Sequence, residues 1–188
     1  MPESDQFIAR LLPIHWETNR LDIADATIAE VPRLHAIFSS CEFVEPWDET
    51  FHPVPQEEIL ELVNQSLADD PAYHYFKLQS RREKETGQIV GYFHLHHGRP
   101  QASVCWVSMF VLHKNHQSQG YGREAIGGLA RRVRELEYQA IWLRVYLKNW
   151  PALRFWVSQD FRSILKVDGD QQYSPAGYAS LVLERRLL

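Results

Sequence analysis

Apolar residues recur along the chain at two spacings, and the spacing changes where turn residues cluster. Short runs rich in β-branched and aromatic side chains predict strands near Leu21–Ala24, Tyr73–Leu78, Gln88–His96 and Ser103–Leu112. The last three are separated by a charged turn, Arg81–Gly87, and by Gly98-Arg99-Pro100, which suits an antiparallel meander. Ahead of them the period lengthens. Thr27 and Glu30 have capping-box spacing before Val31, Leu34 and Phe38, and Ile59, Val63 and Leu67 mark a second helix that ends before Pro71. Pro46, Pro53 and Pro55 break the stretch between the helices, leaving an acidic, aromatic loop from Glu42 to His52.

Beyond Leu112 the pattern becomes helical again. From Tyr121 to about Glu137, Ala125, Ile126, Leu129, Val133 and Leu136 repeat every three to four residues and predict an amphipathic helix. Ile141–Leu147 reads as a strand. Asn149 is a natural N-cap with Pro151 in the first turn of a short helix to about Gln159, and strands near Phe161–Val167 and Tyr178–Arg185 close the chain. The expected class is α/β, of the α+β kind. Residues 1–19 are expected to be an extension that packs or frays, and residues 20–188 a single domain, since 188 residues suffice for one full core.

Composition narrows the setting. No apolar run approaches the roughly 20 residues that span a bilayer, and the N-terminus lacks the apolar stretch and cleavage site of a signal peptide, so a cytoplasmic address is expected. Cys41 and Cys105 are the only cysteines and form no C-x-x-C pair, which excludes a disulfide framework and a thiolate metal knuckle. His94, His96 and His97 lack a cysteine or carboxylate partner at a recognisable spacing, so no metal is expected. The net charge of −4 hides an asymmetry. Leu34–Phe76 holds nine acidic residues and no Lys or Arg, whereas Lys114, Arg123, Arg131, Arg132, Arg134, Arg144, Lys148, Arg154, Arg162 and Lys166 crowd the second half. Either these are two solvated faces, or the basic half holds an anionic cofactor and the acidic half draws a cationic acceptor. Net acidity argues against a nucleic-acid partner.

The chemistry concentrates after the strand ending at Leu112, where a short polar loop runs into Gly120-Tyr121-Gly122 at the start of the long helix. Glycines let backbone approach a phosphate, and the unpaired N–H groups of a helix N-terminus bind the anion, so this is the form of a pyrophosphate cradle. Gly120-Tyr121-Gly122-Arg123-Glu124-Ala125 also fits the relaxed dinucleotide fingerprint, yet the region about 20 residues on, Val145-Tyr146-Leu147-Lys148, lacks the acid for a ribose. A P-loop is excluded because no Gly-Lys-Ser/Thr is present.

Gln117-x-x-Gly120-x-Gly122, between an apolar strand and an amphipathic helix, resembles motif A of the GNAT N-acetyltransferases. Leu143-x-Val145-x-x-x-Asn149-x-x-Ala152-Leu153-x-Phe155-Trp156-x-x-x-Asp160-Phe161 resembles their motif B at every spacing, and the two motifs stand in family order. The resemblance covers about residues 20–186. It implies a mixed, mostly antiparallel sheet of about seven strands flanked by helices, splayed where the strands 103–112 and 141–147 part. It also implies acetyl-CoA as cosubstrate, with no metal and direct transfer of an acetyl group to a primary amine. Backbone groups of Phe110, Val111 and Leu112 would pair with the pantetheine arm like an added strand. Gln117, Ser118, Gln119, Gly120, Tyr121, Gly122 and Arg123 would hold the pyrophosphate, with Lys114 as a further phosphate partner. Asn149 would contact the pantetheine or sulfur region in addition to capping its helix. A homodimer is implied, without an interface.

The chain departs from the family at two points. Trp156 stands where many members carry a tyrosine that protonates the leaving thiolate, and indole has no proton to give at neutral pH. Water or Tyr146 is the substitute, and Trp156 itself reads as a core aromatic. No glutamate lies on the strand Ser103–Met109 or immediately before Val145, so candidates for the base are Ser108 orienting a water, His94 or His96, and the acidic loop. Glu45, Trp47, Asp48 and Glu49 of that loop are the expected acceptor-binding residues, favouring a small cationic amine. The competing function is a CoA-binding sensor or scaffold without turnover, and a weaker third reading is an NAD(P)-binding protein.

Overall fold

The computed structural model describes residues 10–187 other than Pro71 and His74. Its elements in chain order are β1 (His15–Glu17), β2 (Leu21–Asp25), α1 (Val31–Ser39), α2 (Gln56–Leu67), β3 (Phe76–Glu83), β4 (Ile89–His97) and β5 (Val104–Leu112). These are followed by α3 (Tyr121–Glu135), β6 (Ala140–Tyr146), α4 (Trp150–Ser158), β7 (Ser163–Gly169) and β8 (Ala179–Arg186). They form one eight-stranded sheet in the order β1-β2-β3-β4-β5-β6-β8-β7. Every pairing is antiparallel except β5 with β6, which the α3 crossover makes parallel.

Because side chains alternate across a strand, each face of the sheet has its own core. Phe93 and Leu95 of β4 join Ala125, Ile126, Leu129 and Val133 of α3 and Trp156 of α4 on one face. Tyr92 joins Leu34, Ile37 and Phe38 of α1 and Ile59 and Val63 of α2 on the other. Each fully buried side chain of this kind contributes about 1.5–3 kcal/mol.

Of the two outcomes expected for residues 1–19, packing or fraying, the described part takes the first. The segment before residue 20 packs: Leu12 and Trp16 are buried, β1 pairs with β2, and the Trp16 indole donates to Gln79 Oε1 at 2.9 Å. This makes eight strands where about seven were expected. Residues 1–9 of the expected extension lie outside the described residues. The charged turn Arg81–Gly87 begins later, since β3 continues through Glu83. Each charge there has a local reason. Arg81 is fully buried, Arg82 pairs with Glu30 at 2.9 Å, and Glu83 accepts from the Thr86 amide and hydroxyl and the Glu85 amide.

The strands β5 and β6 pair over only four rungs, Val104–Ala140 to Val107–Leu143, and then part, although β5 runs on to Leu112 and β6 to Tyr146. At the parting point the β4–β5 register slips, with His94 opposite Met109 and Leu95 opposite Val107, so that Ser108 is the extra residue of a bulge. A bulge bends its strand, which turns β5 away from β6.

Candidate active site

The gap between the parted strands opens into a cavity of about 780 Å³. Val107 to Leu112 of β5 form one wall, and Val145, Asn149, Ala152, Phe155 and Trp156 the other. The start of α3 closes one end, while Phe38, Phe43, Trp47 and Phe51 line the face toward α1.

The backbone of β5 shows which groups this wall offers. The His113 amide donates to Val90 O at 2.9 Å, so alternation turns the polar groups of Val111 and Met109 toward β4 and those of Phe110 and Leu112 toward the gap. The Leu112 carbonyl already accepts from Gln117 Nε2 at 2.9 Å and from the Cys41 thiol at 3.4 Å. The Val111 carbonyl accepts from Arg81 Nη2. Of the three residues singled out in the sequence, Phe110 therefore presents both amide and carbonyl, Leu112 its amide, and Val111 neither.

The loop between β5 and α3 turns on two left-handed residues. Lys114–His116 make a single 3-10 turn, Ser118 has φ 61° and Gly120 φ 86°, a left-handed conformation that glycine adopts without strain. Gly120 is the N-cap, and the first amides of α3 follow it. Gly122 serves a different need: a Cβ there would meet the Phe155 ring at 3.1 Å, so its absence lets α3 and α4 approach across the cavity. Gln117, Ser118, Gly120, Gly122 and Arg123 line the cavity, whereas Gln119 in the loop and Tyr121, the first residue of α3, do not. Gln119 and Tyr121 instead meet Arg20, whose Nη1 donates to the Gln119 carbonyl at 3.2 Å and whose guanidinium stacks 4.3 Å over the Tyr121 ring.

Sequence reasoning missed what braces this loop from outside. Glu124, in the first turn of α3, accepts from the Thr18 hydroxyl at 2.6 Å, the Arg20 amide at 2.5 Å and Arg20 Nε at 2.7 Å. Burial raises its pKa, but the bonds from Thr18 and Arg20 outweigh burial and hold the carboxyl below its ordinary value. Thr18 and Arg20 precede Glu124 by about a hundred residues, a separation that carries no local signal.

Asn149 is buried and caps α4, its Oδ1 accepting from the Ala152 amide at 3.3 Å. Its side-chain NH₂ donates to no described residue and belongs to the cavity wall. Trp156 is both a core aromatic, packed edge-on against Phe110, Phe155 and Phe161, and a lining residue. Ser108 lines the cavity from the bulge. His96 does not. It hydrogen-bonds His94 at 2.9 Å beside Phe76, away from the cavity wall. Burial and the neighbouring ring pull the pKa of His94 down to about 3, and burial and Arg99 lower that of His96, so both are neutral at pH 7.

The acidic loop divides. Trp47 and Asp48 line the cavity, whereas Glu45 is exposed on a 3-10 turn, Glu42–Trp47, that directs it elsewhere. Glu49 is also outside the lining, and Tyr146 donates to it at 3.5 Å. Burial, then Glu49 and Asp48, raise the Tyr146 pKa, so its phenol keeps its proton through neutral pH. Lys148 is spent structurally on the Pro175 carbonyl at 2.6 Å and the Tyr178 ring. Among the described residues no group of three or more His, Cys, Asp or Glu side chains is placed to hold a metal ion. None of their helices is long and apolar enough to cross a membrane.

A parted parallel pair beside a glycine-opened helix is a combination that can be compared with known proteins. The model of the acetyltransferase (GNAT) family matches residues 32–161. The chain belongs to the GNAT acetyltransferases. No curated protein matches it. Among solved structures it is similar to an acetyltransferase from Thermus thermophilus, at 22% identity and TM-score 0.69 over 91% of this chain and 99% of that one. A GNAT-family acetyltransferase from Bacillus anthracis has 14% identity and TM-score 0.71 over 92% and 98% of the two chains. A spermidine N-acetyltransferase chimera from Vibrio cholerae and hSSAT has 12% identity and TM-score 0.69 over 90% and 96%. At these identities the likeness is one of fold.

Proposed function

We propose that this GNAT protein transfers the acetyl group of acetyl-CoA to a primary amine of a small cationic acceptor, by direct attack in a ternary complex. The observation that carries the reading is the parting of β5 from β6 beside the α3 N-terminus. It leaves the Phe110 amide and carbonyl and the Leu112 amide facing a gap, in line with a left-handed Gly120 and the free amides of α3. A strand edge suits the two amides of a pantetheine arm, and a ring of helix N-terminal N–H groups suits a pyrophosphate. The Asn149 side-chain NH₂ and Arg123, neither bonded to a described residue, are donors left for the same ligand.

Acetyl-CoA supplies a thioester, already reactive toward an amine, so the chain's main work is positioning and polarisation. Backbone N–H groups of β5 at the Ser108 bulge stabilise charge on the carbonyl oxygen, and Phe38, Phe43, Trp47 and Phe51 shape the acceptor side. Asp48 holds a cationic acceptor, with Glu49 adding field from just outside. An amine of pKa near 10 must lose a proton before it attacks; Ser108 orients the water that removes it, and Asp48 is the carboxylate on that wall. A thiol of pKa about 8.5 leaves without full protonation, with water as proton source in the absence of a tyrosine at Trp156, since Tyr146 lies outside the cavity lining and donates to Glu49.

Calorimetric titration with acetyl-CoA, CoA and NAD(P)H tests the cofactor. Acetyl-CoA is expected to bind, and Gly120→Asp, which adds a carboxylate to the cradle, is expected to abolish that binding. No binding, or preference for the dinucleotide, overturns the reading. Trp156 favours one alternative, a CoA sensor without turnover. Tight acetyl-CoA binding with no transfer to any of a broad panel of amines would establish that alternative instead.

A further inference from the structure

A second concave site lies away from the β5–β6 cavity, between the C-terminal half of α3 and the end of β8. Its volume is about 320 Å³. Gly127 and Ala130 form its floor, and Arg131 and Arg134 of α3 with Arg185 and Arg186 of β8 form its walls. Among the described residues no acidic side chain lines it. Gly127, Ala130, Arg131 and Arg134 lie at positions i, i+3, i+4 and i+7, one stripe of the helix. At Gly127 a Cβ would meet nothing within 4 Å, so the floor is open space.

The charge in this groove is only partly compensated among the described residues. Among the described residues, Arg131, Arg134 and Arg185 have no hydrogen-bond or ion-pair partner, and Arg186 is shared with Glu184 at 2.9 Å. The neighbouring Arg132 shows the contrast, since it pairs with Glu135 on the outer face of α3. Attraction to the negative end of the helix accounts for basic residues in its last turn. It does not account for Arg185, which arrives from a strand, on the face of β8 that Leu183 and Leu187 turn toward α3, and brings a like charge to Arg131 and Arg134 in a chain whose net charge is −4. Guanidiniums of residues that line one concavity suit phosphate oxygens, which accept their paired N–H donors. Three unpaired cations exceed what one phosphate neutralises and match a chain of two or three.

We propose that this groove is a second anion site that binds a chain of phosphate groups, as in inorganic tripolyphosphate or a nucleoside triphosphate. It stands independently of the acetyltransferase reading, because it shares no residue with the β5–β6 cavity. The test is calorimetric titration with inorganic tripolyphosphate, and separately with ATP, at low salt. The protein carries Gly120→Asp so that the α3 cradle is blocked. Saturable one-to-one binding that weakens steeply with salt is expected. Replacing Arg131, Arg134 and Arg185 by Ser should weaken it about tenfold for each guanidinium removed. Gly127→Glu, which fills the open floor with a carboxylate and improves helix propensity, should abolish it with the fold intact by thermal melting. Equal affinity for the two ligands assigns recognition to the phosphate chain alone, and tighter ATP binding adds a contact to the nucleoside; either supports the site. Absence of binding in the Gly120→Asp protein, or binding that survives both the triple Ser variant and Gly127→Glu, overturns the proposal.

Discussion

Arg81 is the residue where this molecule departs furthest from ordinary burial rules. Its guanidinium lies 4.6 Å over the Phe93 ring and 4.2 Å over the Phe110 ring, and its Nη2 donates to the carbonyls of Tyr92 and Val111. Nε and Nη1 have no partner among the described residues, and burial pulls the pKa down to about 9. Two aromatic faces and two carbonyls offset only part of the desolvation of a charge. Arg81→Met keeps the apolar stem and removes the unpaired donors, so its stability should fall within about 1 kcal/mol of the wild type or exceed it. Arg81→Ala empties the space between the rings and should lose about 3 kcal/mol. Denaturant unfolding of both variants distinguishes them; equal losses would show that the bonds to Val111 and Tyr92 carry the stability.

Two histidines predict how the protein responds to acid. His97 is buried with Nε2 unpartnered among the described residues, and burial lowers its pKa to about 4; His94 is lowered to about 3 by burial and then by His96. In the unfolded chain both take up a proton near pH 6.5, and in the folded chain only well below it, so the unfolded state binds more protons throughout that interval. Stability is therefore fully present above pH 6.5 and is lost as pH falls toward 4, by about 3 kcal/mol for His97 alone. Melting curves from pH 7 to pH 4 should show the loss, and His97→Gln should flatten it. A slope unchanged by that substitution would remove His97 as its source.

At the scale of elements, the glycine-opened start of α3 and the α4 cap were legible in the sequence because their geometry is local. A left-handed glycine before a helix and an asparagine that caps one depend on residues a few positions apart. What escaped depends on distant partners. Arg81 and Arg82 look like a turn until Val111 and Glu30 are beside them, and β1 is too short to announce itself without β2. The acidic loop read as one acceptor surface, yet its 3-10 turn separates Asp48 from Glu45 by geometry that no spacing rule conveys. Gly122 offers a test of the α3–α4 contact. Gly122→Ala improves helix propensity by about 1 kcal/mol but places a methyl against Phe155, so the gain in stability should be cancelled or reversed. The Michaelis constant for acetyl-CoA should rise severalfold, which steady-state kinetics would read; an unchanged constant would mean that α4 yields freely.

At the scale of the whole molecule, the cavity is bounded by both halves of the sheet, so a ligand seated there ties them together. A cofactor at about 100 times its dissociation constant stabilises the folded state by about 2.7 kcal/mol. For a chain of this length that corresponds to a rise in melting temperature of roughly 5–10 °C. Thermal melting with acetyl-CoA should show this rise in the wild type and none in Gly120→Asp. The same shift in both proteins would place the ligand outside the cradle.

The four-rung seam between β5 and β6 also sets how the molecule can deform. Five strands stand on one side of it and three on the other, and the ladder joining them stops at Val107 and Leu143. Such a joint scissors most easily about its closed end, with amplitude growing toward Leu112 and Tyr146, the end at which the start of α3 sits. Amide hydrogens at the Val107–Leu143 rung should exchange faster than those at Val104–Ala140, and acetyl-CoA should narrow the difference. The gap left by a shortened ladder is thus also the hinge by which the two half-sheets breathe.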